Sequence, residues 1–373
     1  MHIGLNAHLL SSQPGYRAAG IHNVIHHLLM HLPVFAPDDW QFTAMTGAAN
    51  TAEYSGMSMC RAQIDTESPA KRIIWEQVAQ PSQLSDFDLL HAMAFVSPLL
   101  NFTPTVVTVY DLTFMRYPQR LSAGRRLYLR LFTELSCRRA KRITAISQST
   151  ADDLTELLDI PASKIDVTPL GYDTDIFKPH AQSEIDAFKA ANGLPERFWL
   201  FVGTLEPRKN LTMLLEAYAR LPLSERLPLI LGGGKGWDYE PIFAAIEKLH
   251  LSDSIFLPGF IPADDLALWY NSAELFVYPS VFEGFGLPVL EAMACGTPIL
   301  TSDASSLPEV AASADLCLNP TDVPVWTAAL QRAFHDADWR EKIRQAGLQK
   351  AQQFRWETTA QLTLASYQRA ILD

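Results

Sequence analysis

The sequence has few cysteines, no long hydrophobic run and no excess of positive charge. Its four cysteines share no C-x-x-C spacing, which disfavours both a zinc site and a disulfide framework. No apolar run approaches the ~20 residues that a membrane-spanning helix requires. Asp and Glu outnumber Lys and Arg by 41 to 30, so the formal charge of −11 argues against a nucleic acid as partner.

Familiar ligand-binding motifs are also missing. No G-x-G-x-x-G follows the first apolar run, which disfavours a dehydrogenase. The glycine-rich segment 232–236 lacks the Ser or Thr and the spacing of a P-loop, which excludes an ATPase. His22 and His26 have the i, i+4 spacing of metal ligands, but no glutamate accompanies them as in H-E-x-x-H. A polar helix face explains them better, and we expect neither a metal nor another cofactor.

The composition is that of a globular protein, with 48% apolar and 19% charged residues in a chain of 373. This length predicts two domains. The first residues, MHIGLNAHLL, look like a β-strand rather than the charged and then apolar segments of an export signal. We therefore expect a cytoplasmic protein.

Short apolar runs alternate along the chain with stretches of helical periodicity. The predicted strands are Ile3–Asn6, Leu89–Ala92, Val106–Val109, Arg142–Ile146, Trp199–Val202, Pro228–Leu231, Ile255–Leu257, Leu275–Tyr278 and Pro298–Ser302. The predicted helices include Ile21–Leu32, Gly124–Arg139, Leu211–Leu221, Pro288–Cys295 and Val325–His335. Strands separated by helices predict βαβ units with parallel sheets, and therefore an α/β fold. Two such series flank the polar, proline-containing segment 173–197, so we place a domain boundary near residue 180.

The segment EGFGLPVLE, which begins at Glu283 and ends at Glu291, follows a predicted strand and opens a helix at Pro288. A glycine-rich loop at a helix N-terminus presents unpaired N–H groups and a partial positive charge, which together predict an anion site. We place Glu291 in the first helical turn, where it reaches back to the same site. The two carboxylates would accept hydrogen bonds from hydroxyls on either side of a phosphate. The alternative is an ordinary strand–loop–helix connection in which Glu291 complements the helix dipole.

A second segment, GTLEPRKN, lies between a predicted strand and the helix that begins at Leu211. It places Arg208 and Lys209 before the helix, with Asn210 as the expected N-cap. Two cations oppose the dipole of that helix, so they favour a bound anion such as a diphosphate. The alternative is two solvated surface residues. Both segments follow strands of one domain, so we expect them at the same edge of its sheet.

One stretch of the chain is strongly basic. Between Arg116 and Arg142 there are nine basic residues and one acidic residue, Glu134. Leucines form a row beside the arginines at positions 127, 131 and 135. Such a helix can lie on an anionic membrane through Arg125, Arg126 and Arg130. It can equally pack its leucines inside the protein and leave its arginines in water, and the sequence leaves both interpretations open.

The runs GTLEPRKNL, LPGFIP and YPSVFEGFGLPVLEAMACGTPILTSDASSLPEV closely resemble the retaining GT4 glycosyltransferases of the GT-B fold. They are most similar to the mannosyltransferase-like branch that uses GDP-mannose. The resemblance implies two Rossmann-like parallel-sheet domains that face a central cleft. Residues 1–180 would form the acceptor-side domain, with the C-terminal helix 357–373 packed back on it. Residues 181–356 would form the domain that binds the nucleotide sugar.

The resemblance also implies roles for individual residues. The implied catalytic set is Glu283, Arg208, Lys209 and Asp111, with Tyr110 standing where the family pattern has a histidine. The implied donor-binding positions are Gly20, Gly203, Arg208, Lys209, Phe260, Glu283, Phe285, Gly286, Leu287 and Glu291. The two cations would neutralise the donor diphosphate in place of a metal. Glu283 would contact the transferred sugar, and Glu291 would hold the ribose hydroxyls.

The resemblance thus implies a retaining transfer of a sugar. The sugar is best assigned as mannose from GDP-mannose, and the alternative donor is a UDP-sugar. The expected acceptor is a glycan or a polyprenyl-diphosphate-linked oligosaccharide in polysaccharide biosynthesis. The basic helix would then lie on the inner face of the membrane. The alternatives are a sugar-nucleotide epimerase or a glycoside phosphorylase on the same fold, or a non-catalytic subunit that binds a sugar nucleotide.

Overall fold

The computed structural model describes residues 1–10, 20–64, 66 and 68–372, and for Arg120 the backbone alone. The chain forms two compact units. Unit 1 contains Met1–Gly171 and Arg355–Asp373, and unit 2 contains Tyr172–Phe354. Each unit is a parallel β-sheet with helices in its crossover connections.

Unit 1 contains seven parallel strands in the order β3-β2-β1-β4-β5-β6-β7. The strands are β1 His2–Asn6, β2 Gln41–Thr46, β3 Ser58–Arg61, β4 Leu89–Ala92, β5 Thr105–Val109, β6 Arg142–Ala145 and β7 Ile165–Val167. Its helices are α1 Ile21–Phe35, α2 Pro69–Ile74, α3 Thr113–Arg116, α4 Ala123–Arg139, α5 Gln148–Leu158 and the C-terminal α14 Trp356–Leu372. A π-helical segment, Trp75–Ala79, continues α2.

Unit 2 contains six parallel strands in the order β10-β9-β8-β11-β12-β13. The strands are β8 Trp199–Val202, β9 Leu229–Gly232, β10 Ile255–Gly259, β11 Leu275–Tyr278, β12 Ile299–Ser302 and β13 Cys317–Leu318. Its helices are α6 Gln182–Ala191, α7 Leu211–Ala219, α8 Glu240–Lys248, α9 Ala263–Ser272, α10 Leu287–Ala294, α11 Leu307–Val310, α12 Val323–His335 and α13 Ala337–Ala351.

Both sheets reverse their strand order at one point, between β1 and β4 in unit 1 and between β8 and β11 in unit 2. Open α/β sheets bind ligands outside the carboxyl ends of their strands at such switch points. The central strands are apolar and buried because helices cover both faces of a parallel sheet. In each unit, the fold therefore favours a site at the carboxyl ends of the strands, next to the switch point.

All nine predicted strands are present, with ends that differ by at most two residues. The sequence did not predict β2, β3, β7 and β13. Three of these lie at sheet edges, where strands are short and half exposed and leave no apolar run. In β2 the apolar residues are interrupted by polar ones that are also buried, among them Thr43 and Thr46.

Helix α14 lies in unit 1, where side-chain hydrogen bonds hold it to β7 and to the segment that follows β7. The Thr359 hydroxyl donates to the Pro169 carbonyl at 2.6 Å, and the Ser366 hydroxyl donates to Asp166 at 2.7 Å. None of the helices in the described part of the chain combines the length and the hydropathy that a bilayer span requires.

Candidate active site

The segment that carries the two predicted cations is fixed by close backbone contact with the glycine-rich loop after β9. A Cβ atom on Gly233 would lie 1.9 Å from the carbonyl oxygen of Gly203. A Cβ atom on Gly236 would lie 2.7 Å from the Cγ2 of Thr204. The glycines of this loop therefore allow two loops to touch. This close contact explains the glycine-rich segment 232–236 without a phosphate-binding P-loop.

A single 3₁₀ turn, Pro207–Lys209, separates β8 from α7, and Asn210 follows it in the left-handed conformation with φ 57°. Asparagine tolerates this backbone conformation better than most residues. Its side chain donates to the Pro320 carbonyl at 2.7 Å and makes no cap bond to α7. Asn210 therefore occupies the N-cap position, as expected, but its side chain bonds to another loop instead of to the first turn of the helix.

Arg208 and Lys209 converge on the carboxylate of Glu283, which follows β11 in the chain. The Lys209 Nζ lies 2.5 Å from Glu283 Oε1, and the Arg208 Nη1 lies 2.7 Å from Glu283 Oε2. Arg208 also pairs with Glu206 at 2.8 Å. We call these four residues the ion cluster. The two predicted segments thus meet in one site, and the anion that faces both cations is a side chain of the protein.

Charges inside the ion cluster shift the pKa values of its members. Burial alone would raise the pKa of Glu283, but the charges of Arg208 and Lys209 hold it at about 2. Burial, together with the Arg208 charge, lowers the pKa of Lys209 to about 8 although Glu283 opposes the shift. Burial would also lower the pKa of Arg208, and the Glu283 and Glu206 carboxylates raise it above its ordinary value. The carboxylate of Glu283 is therefore ionised throughout the neutral range.

The start of α10 lies next to the ion cluster and has the geometry of an anion site. Gly286 precedes the helix with φ 110°, a conformation that favours glycine, and a Cβ there would lie 2.8 Å from a Leu307 methyl. In the described part of the chain no acceptor is found for the backbone N–H groups of Phe285, Gly286 and Leu287. The sequence predicted that the helix begins at Pro288. It begins one residue earlier, at Leu287, so Pro288 is its second residue.

Glu291 lies one turn inside α10, not in the first turn as predicted, because the helix begins at Leu287. Its Oε2 accepts a hydrogen bond from the Tyr270 hydroxyl of α9 at 3.0 Å. Burial raises the pKa of Glu291 to about 7, and the Tyr270 hydrogen bond opposes that shift. The two glutamates of the motif therefore have different partners: Glu283 has two cations, and Glu291 has a phenol.

Three residues of the site were not predicted from the sequence. The Ser280 hydroxyl donates to Glu283 Oε1 at 2.6 Å, and the Tyr278 ring lies 4.7 Å from Lys209 Nζ. Glu206 is the third, through its ion pair with Arg208. The sequence marks them only by their positions: Tyr278 ends the strand before Glu283, Ser280 follows that strand by two residues, and Glu206 precedes Arg208 by two residues.

The other positions of unit 2 that were predicted to bind the donor follow the carboxyl ends of strands or precede α10. Gly203 follows β8 directly, and Phe260 follows β10 with 56% of its surface exposed. The ring of Phe285 packs against Phe354 at 5.7 Å between centroids. No ring contact or cation–π contact between Phe260 and the ion cluster is found among the described residues.

Two predicted positions belong to unit 1. Gly20 precedes α1 with φ 68° and is exposed, while residues 11–19 of the same glycine loop lie outside the described residues. Asp111 follows β5 and accepts a hydrogen bond from the Thr113 backbone N–H at 2.8 Å. Tyr110 points into the unit, where its hydroxyl donates to the Met93 carbonyl at 2.8 Å.

Helix α4 presents its leucine row to the outside. Leu127, Leu131 and Leu135 are 58%, 45% and 43% exposed, so the interpretation that they pack inside the protein is wrong. The buried residues of this helix are instead Thr133, Ser136 and Cys137. The candidate membrane-contact residues Arg125, Arg126 and Arg130 are exposed, and no ion pair or side-chain hydrogen bond is found for them among the described residues.

Histidine side chains with metal-like spacing have other partners. His26 hydrogen-bonds through Nδ1 to the Tyr54 hydroxyl at 2.8 Å. Across the described ranges, no group of three or more His, Cys, Asp and Glu side chains is arranged to hold a metal ion.

Two glycosyltransferase families match the sequence of this chain. The family described as "Glycosyl transferases group 1" matches residues 182–350, and "Glycosyltransferase Family 4" matches residues 61–176. O-antigen chain mannosyltransferase B of Escherichia coli is 35% identical over 265 residues, which cover 70% of this chain and 69% of that protein. The chain belongs to the group 1 glycosyltransferases.

Other relatives of this glycosyltransferase are longer than the matched region. The serotype-specific mannosyltransferase WbdA of E. coli is 34% identical over 275 residues, which cover 72% of the chain but 34% of WbdA. The match therefore extends over about a third of that protein. The resemblance to the GT4 family that the motifs carried is confirmed, and so is the expectation of an enzyme, a hexosyltransferase of this family.

Solved structures confirm the fold class of the glycosyltransferase. Sucrose-phosphate synthase from Thermosynechococcus elongatus superposes with a TM-score of 0.76 at 23% identity, covering 98% of each chain. WaaG, a glycosyltransferase involved in lipopolysaccharide biosynthesis, superposes with a TM-score of 0.72 at 14% identity, covering 97% of this chain and 98% of that one. At these identities the likeness shows the fold alone, which is GT-B.

Proposed function

We propose that this glycosyltransferase is a retaining mannosyltransferase that takes mannose from GDP-mannose and adds it to a growing polysaccharide. The relatives that support mannose are O-antigen chain mannosyltransferase B and WbdA, and also the MMP α-(1→4)-mannosyltransferase of Mycolicibacterium hassiacum, 33% identical over 64% of the chain. The acceptor that we propose is a glycan or a polyprenyl-diphosphate-linked oligosaccharide.

The observation that carries the proposal is the ion cluster beside the start of α10. A nucleotide sugar that loses its sugar leaves a diphosphate, on which negative charge develops. Arg208, Lys209 and the backbone N–H groups of 285–287 would stabilise that charge, since fixed donors and dipoles aimed at developing charge lower the barrier. Because Glu283 already balances the cations, they are held in place before a donor arrives.

Glu283 has a second role in this proposal. A carboxylate that stays ionised is suited to face the transferred sugar, where positive charge develops as the bond to the diphosphate breaks. Glu291 would hold the ribose hydroxyls, and the segment around Phe260 would line the base. Transfer would proceed on one face of the sugar, with the departing phosphate assisting deprotonation of the acceptor.

We propose that unit 1 binds the acceptor and that its residues Asp111 and Gly20 serve catalysis and donor binding, as the family resemblance implies. A polyprenyl-linked acceptor is held in a membrane. The exposed arginines 125, 126 and 130 beside an exposed leucine row are suited to an anionic bilayer surface. We therefore propose a peripheral contact between α4 and the membrane.

The proposed function is tested with purified enzyme, GDP- and UDP-sugars, and mannosyl oligosaccharide acceptors. We expect a mannosylated product with retained configuration from GDP-mannose alone among the donors. Product formed without an acceptor would instead indicate an epimerase, and a requirement for inorganic phosphate would indicate a phosphorylase. Donor binding without turnover would indicate a non-catalytic subunit.

Glu283→Gln tests the role of the carboxylate in the same assay. The substitution keeps the side-chain volume and removes the charge, so donor affinity should stay within a few-fold while turnover falls sharply. Glu247→Gln, an exposed substitution of the same kind on α8, is the control and should retain full turnover. Equal losses of affinity and turnover at Glu283 would show that it binds the donor rather than stabilises the reacting centre.

A further inference from the structure

The carboxyl end of β1 lies at the switch point of the unit 1 sheet, the position that the ion cluster occupies in unit 2. Strand β1 ends at Asn6, and the Ala7 N–H then bonds to the Met45 carbonyl at the end of β2 at 2.9 Å. His8 follows at this edge. It is one of the polar residues in unit 1 that the mechanism above does not use.

His8 belongs to a network of buried polar side chains, which we call the His8 network. Its members are Asn6, His8, Glu76 and Gln80, whose exposed fractions are 2%, 7%, 3% and 0%. The Asn6 Nδ2 donates to Glu76 Oε1 and to Gln80 Oε1, both at 3.2 Å. The His8 Nδ1 lies 2.5 Å from Asn6 Oδ1. Polar groups buried this deeply are retained when they hold a particular geometry.

The network determines which nitrogen of His8 carries the proton. Both hydrogens of the Asn6 amide are used by oxygen acceptors, so its Oδ1 is the atom that faces the imidazole. The His8 Nδ1 must then be the donor. Burial and the nearby Arg72 charge lower the pKa of His8 to about 3, so the ring is neutral. Its Nε2 therefore has a lone pair and no hydrogen.

No described residue donates to this lone pair. Glu76 Oε1 lies 3.9 Å from it, beyond hydrogen-bond distance. The other contact of the ring is with Trp75, whose ring centroid lies 6.0 Å away in an edge arrangement. A nitrogen lone pair accepts a hydrogen bond from an O–H or N–H group and repels phosphate or carboxylate oxygens. The ligand chemistry that fits is a hydrogen-bond donor such as a hydroxyl, the group that the acceptor sugar of the proposed reaction offers.

Glu76 is held in place by groups from two other elements. It lies in the π-helical segment that continues α2, a rare backbone form that is frequent at functional sites. Burial raises the pKa of Glu76 to about 8, while the Arg72 charge and hydrogen bonds from Asn6 and Tyr128 oppose the shift. Tyr128 belongs to α4. Groups from β1, α2 and α4 therefore hold Glu76 and, through Asn6, the ring of His8.

We propose that His8 is an acceptor-binding residue, whose Nε2 receives a hydrogen bond from a hydroxyl of the acceptor sugar. The assignment rests on the proposed transferase function and deepens it by naming an acceptor contact in unit 1. Asn6 and Glu76 are positioning residues that fix the tautomer and the ring. The group that the acceptor offers is an O–H donor, so a deoxy sugar at the contacted position would lose this bond.

Kinetics with two conservative variants test the assignment. His8→Asn keeps a donor for Asn6 but lacks a group at the Nε2 position, whereas His8→Gln places an amide there. We expect the acceptor KM to rise at least about tenfold in His8→Asn, since a lost hydrogen bond costs about that factor, and to return to within about threefold in His8→Gln. The donor KM, and donor hydrolysis without acceptor, should not change in either variant.

His2→Gln is the matched control, because His2 lies at the opposite end of the same strand. An unchanged acceptor KM in His8→Asn would overturn the proposal, as would equal rises in the donor and acceptor KM. So would a similar effect in His2→Gln, which would indicate a loss of fold rather than of a contact.

A spectroscopic measurement separates this proposal from the proposed function. In the wild type labelled with ¹⁵N-histidine, we expect the His8 signals of a neutral ring protonated on Nδ1. Methyl α-mannoside at millimolar concentration should then shift the Nε2 signal. A proton on Nε2, or a signal that the sugar leaves unmoved, would overturn the proposal even if mannosyl transfer is observed. If no transfer from GDP-mannose occurs, the proposed function fails. The His8 tautomer and the response of its Nε2 signal to methyl α-mannoside still decide whether His8 binds a sugar hydroxyl.

Discussion

At the scale of single residues, the same side chain has opposite properties at two places in the site. Glu283 and Glu291 lie eight positions apart in one motif. The pKa of Glu283 is held at about 2 by two cations, and burial raises the pKa of Glu291 to about 7. An oxygen acceptor with a pKa near neutrality binds hydroxyl groups best when it is ionised. Donor binding should therefore depend on pH within the neutral range.

The pH dependence follows from Glu291 and Lys209. As pH rises through about 7, Glu291 loses its proton and becomes a better acceptor, so kcat/KM for the donor should rise. As pH rises through about 8, Lys209 loses its charge, so kcat/KM should fall. Steady-state kinetics between pH 5.5 and 9.5 should give a bell-shaped profile, with its maximum between these values.

Two substitutions assign the limbs of the profile. Glu291→Gln removes the titrating acid and should flatten the acid limb. Lys209→Arg keeps a charge that does not titrate, so the alkaline limb should move to higher pH. An alkaline limb that stays in place in Lys209→Arg would show that another group controls it.

At the scale of elements, α4 exposes a row of leucines that an ordinary surface helix would bury. Its exposed leucines lie beside exposed arginines, while Arg138 is tied to Glu134 at 3.0 Å within the same helix. The charged face and the apolar face are therefore both available to an anionic bilayer. Association would combine burial of leucine side chains with charge attraction.

Charge reversal on α4 should release the enzyme from anionic vesicles. Arg125, Arg126 and Arg130 each contribute about 1 kcal/mol near such a surface, so the triple change to Glu should weaken binding by about a hundredfold or more. Sedimentation with phosphatidylglycerol vesicles measures it. The control is Arg220, Lys248 and Lys342 changed to Glu, because these residues are exposed in unit 2 and give the same change in net charge. Equal retention of both triple variants would exclude α4 as the contact.

At the scale of the whole molecule, the two units have separate sheets and separate cores. Tyr367 of α14 is fully buried in unit 1, where its hydroxyl lies 2.6 Å from His91 Nδ1. Tyr218 is its counterpart in unit 2, fully buried with its hydroxyl donating to the Leu227 carbonyl at 2.7 Å. The end of the chain is thus part of the core of the unit in which the chain begins.

Large-to-small substitutions should loosen one unit at a time. Tyr367→Ala leaves a cavity in unit 1 and should lower the free energy of unfolding of that unit by about 3–5 kcal/mol. Hydrogen exchange measured by mass spectrometry should then rise in β4–β7 and stay constant in β8–β13. Tyr218→Ala should give the reverse pattern. Faster exchange in both units from either substitution would show that they unfold together.

Much of the fold and part of the site could be read from the sequence. Apolar runs of a few residues predict central strands well, since both faces of a parallel sheet are buried. Edge strands such as β13 gave no such signal because water replaces one neighbour. The convergence of Arg208 and Lys209 toward the motif at Glu283 was predicted, since loops at the carboxyl ends of neighbouring strands meet.

The sequence by itself determined the α/β class, the family motifs and the edge of the unit 2 sheet where they gather. These features depend on local periodicity and on the order of strands and helices, and both can be recognised from residues that are neighbours in the sequence. Only the tertiary structure decided the partners of Glu283 and Glu291, the outward leucines of α4 and the tautomer of His8. Hydrogen bonds and exposure depend on residues that are distant in the chain and within a few ångströms in space, and spacing along the sequence does not encode those distances.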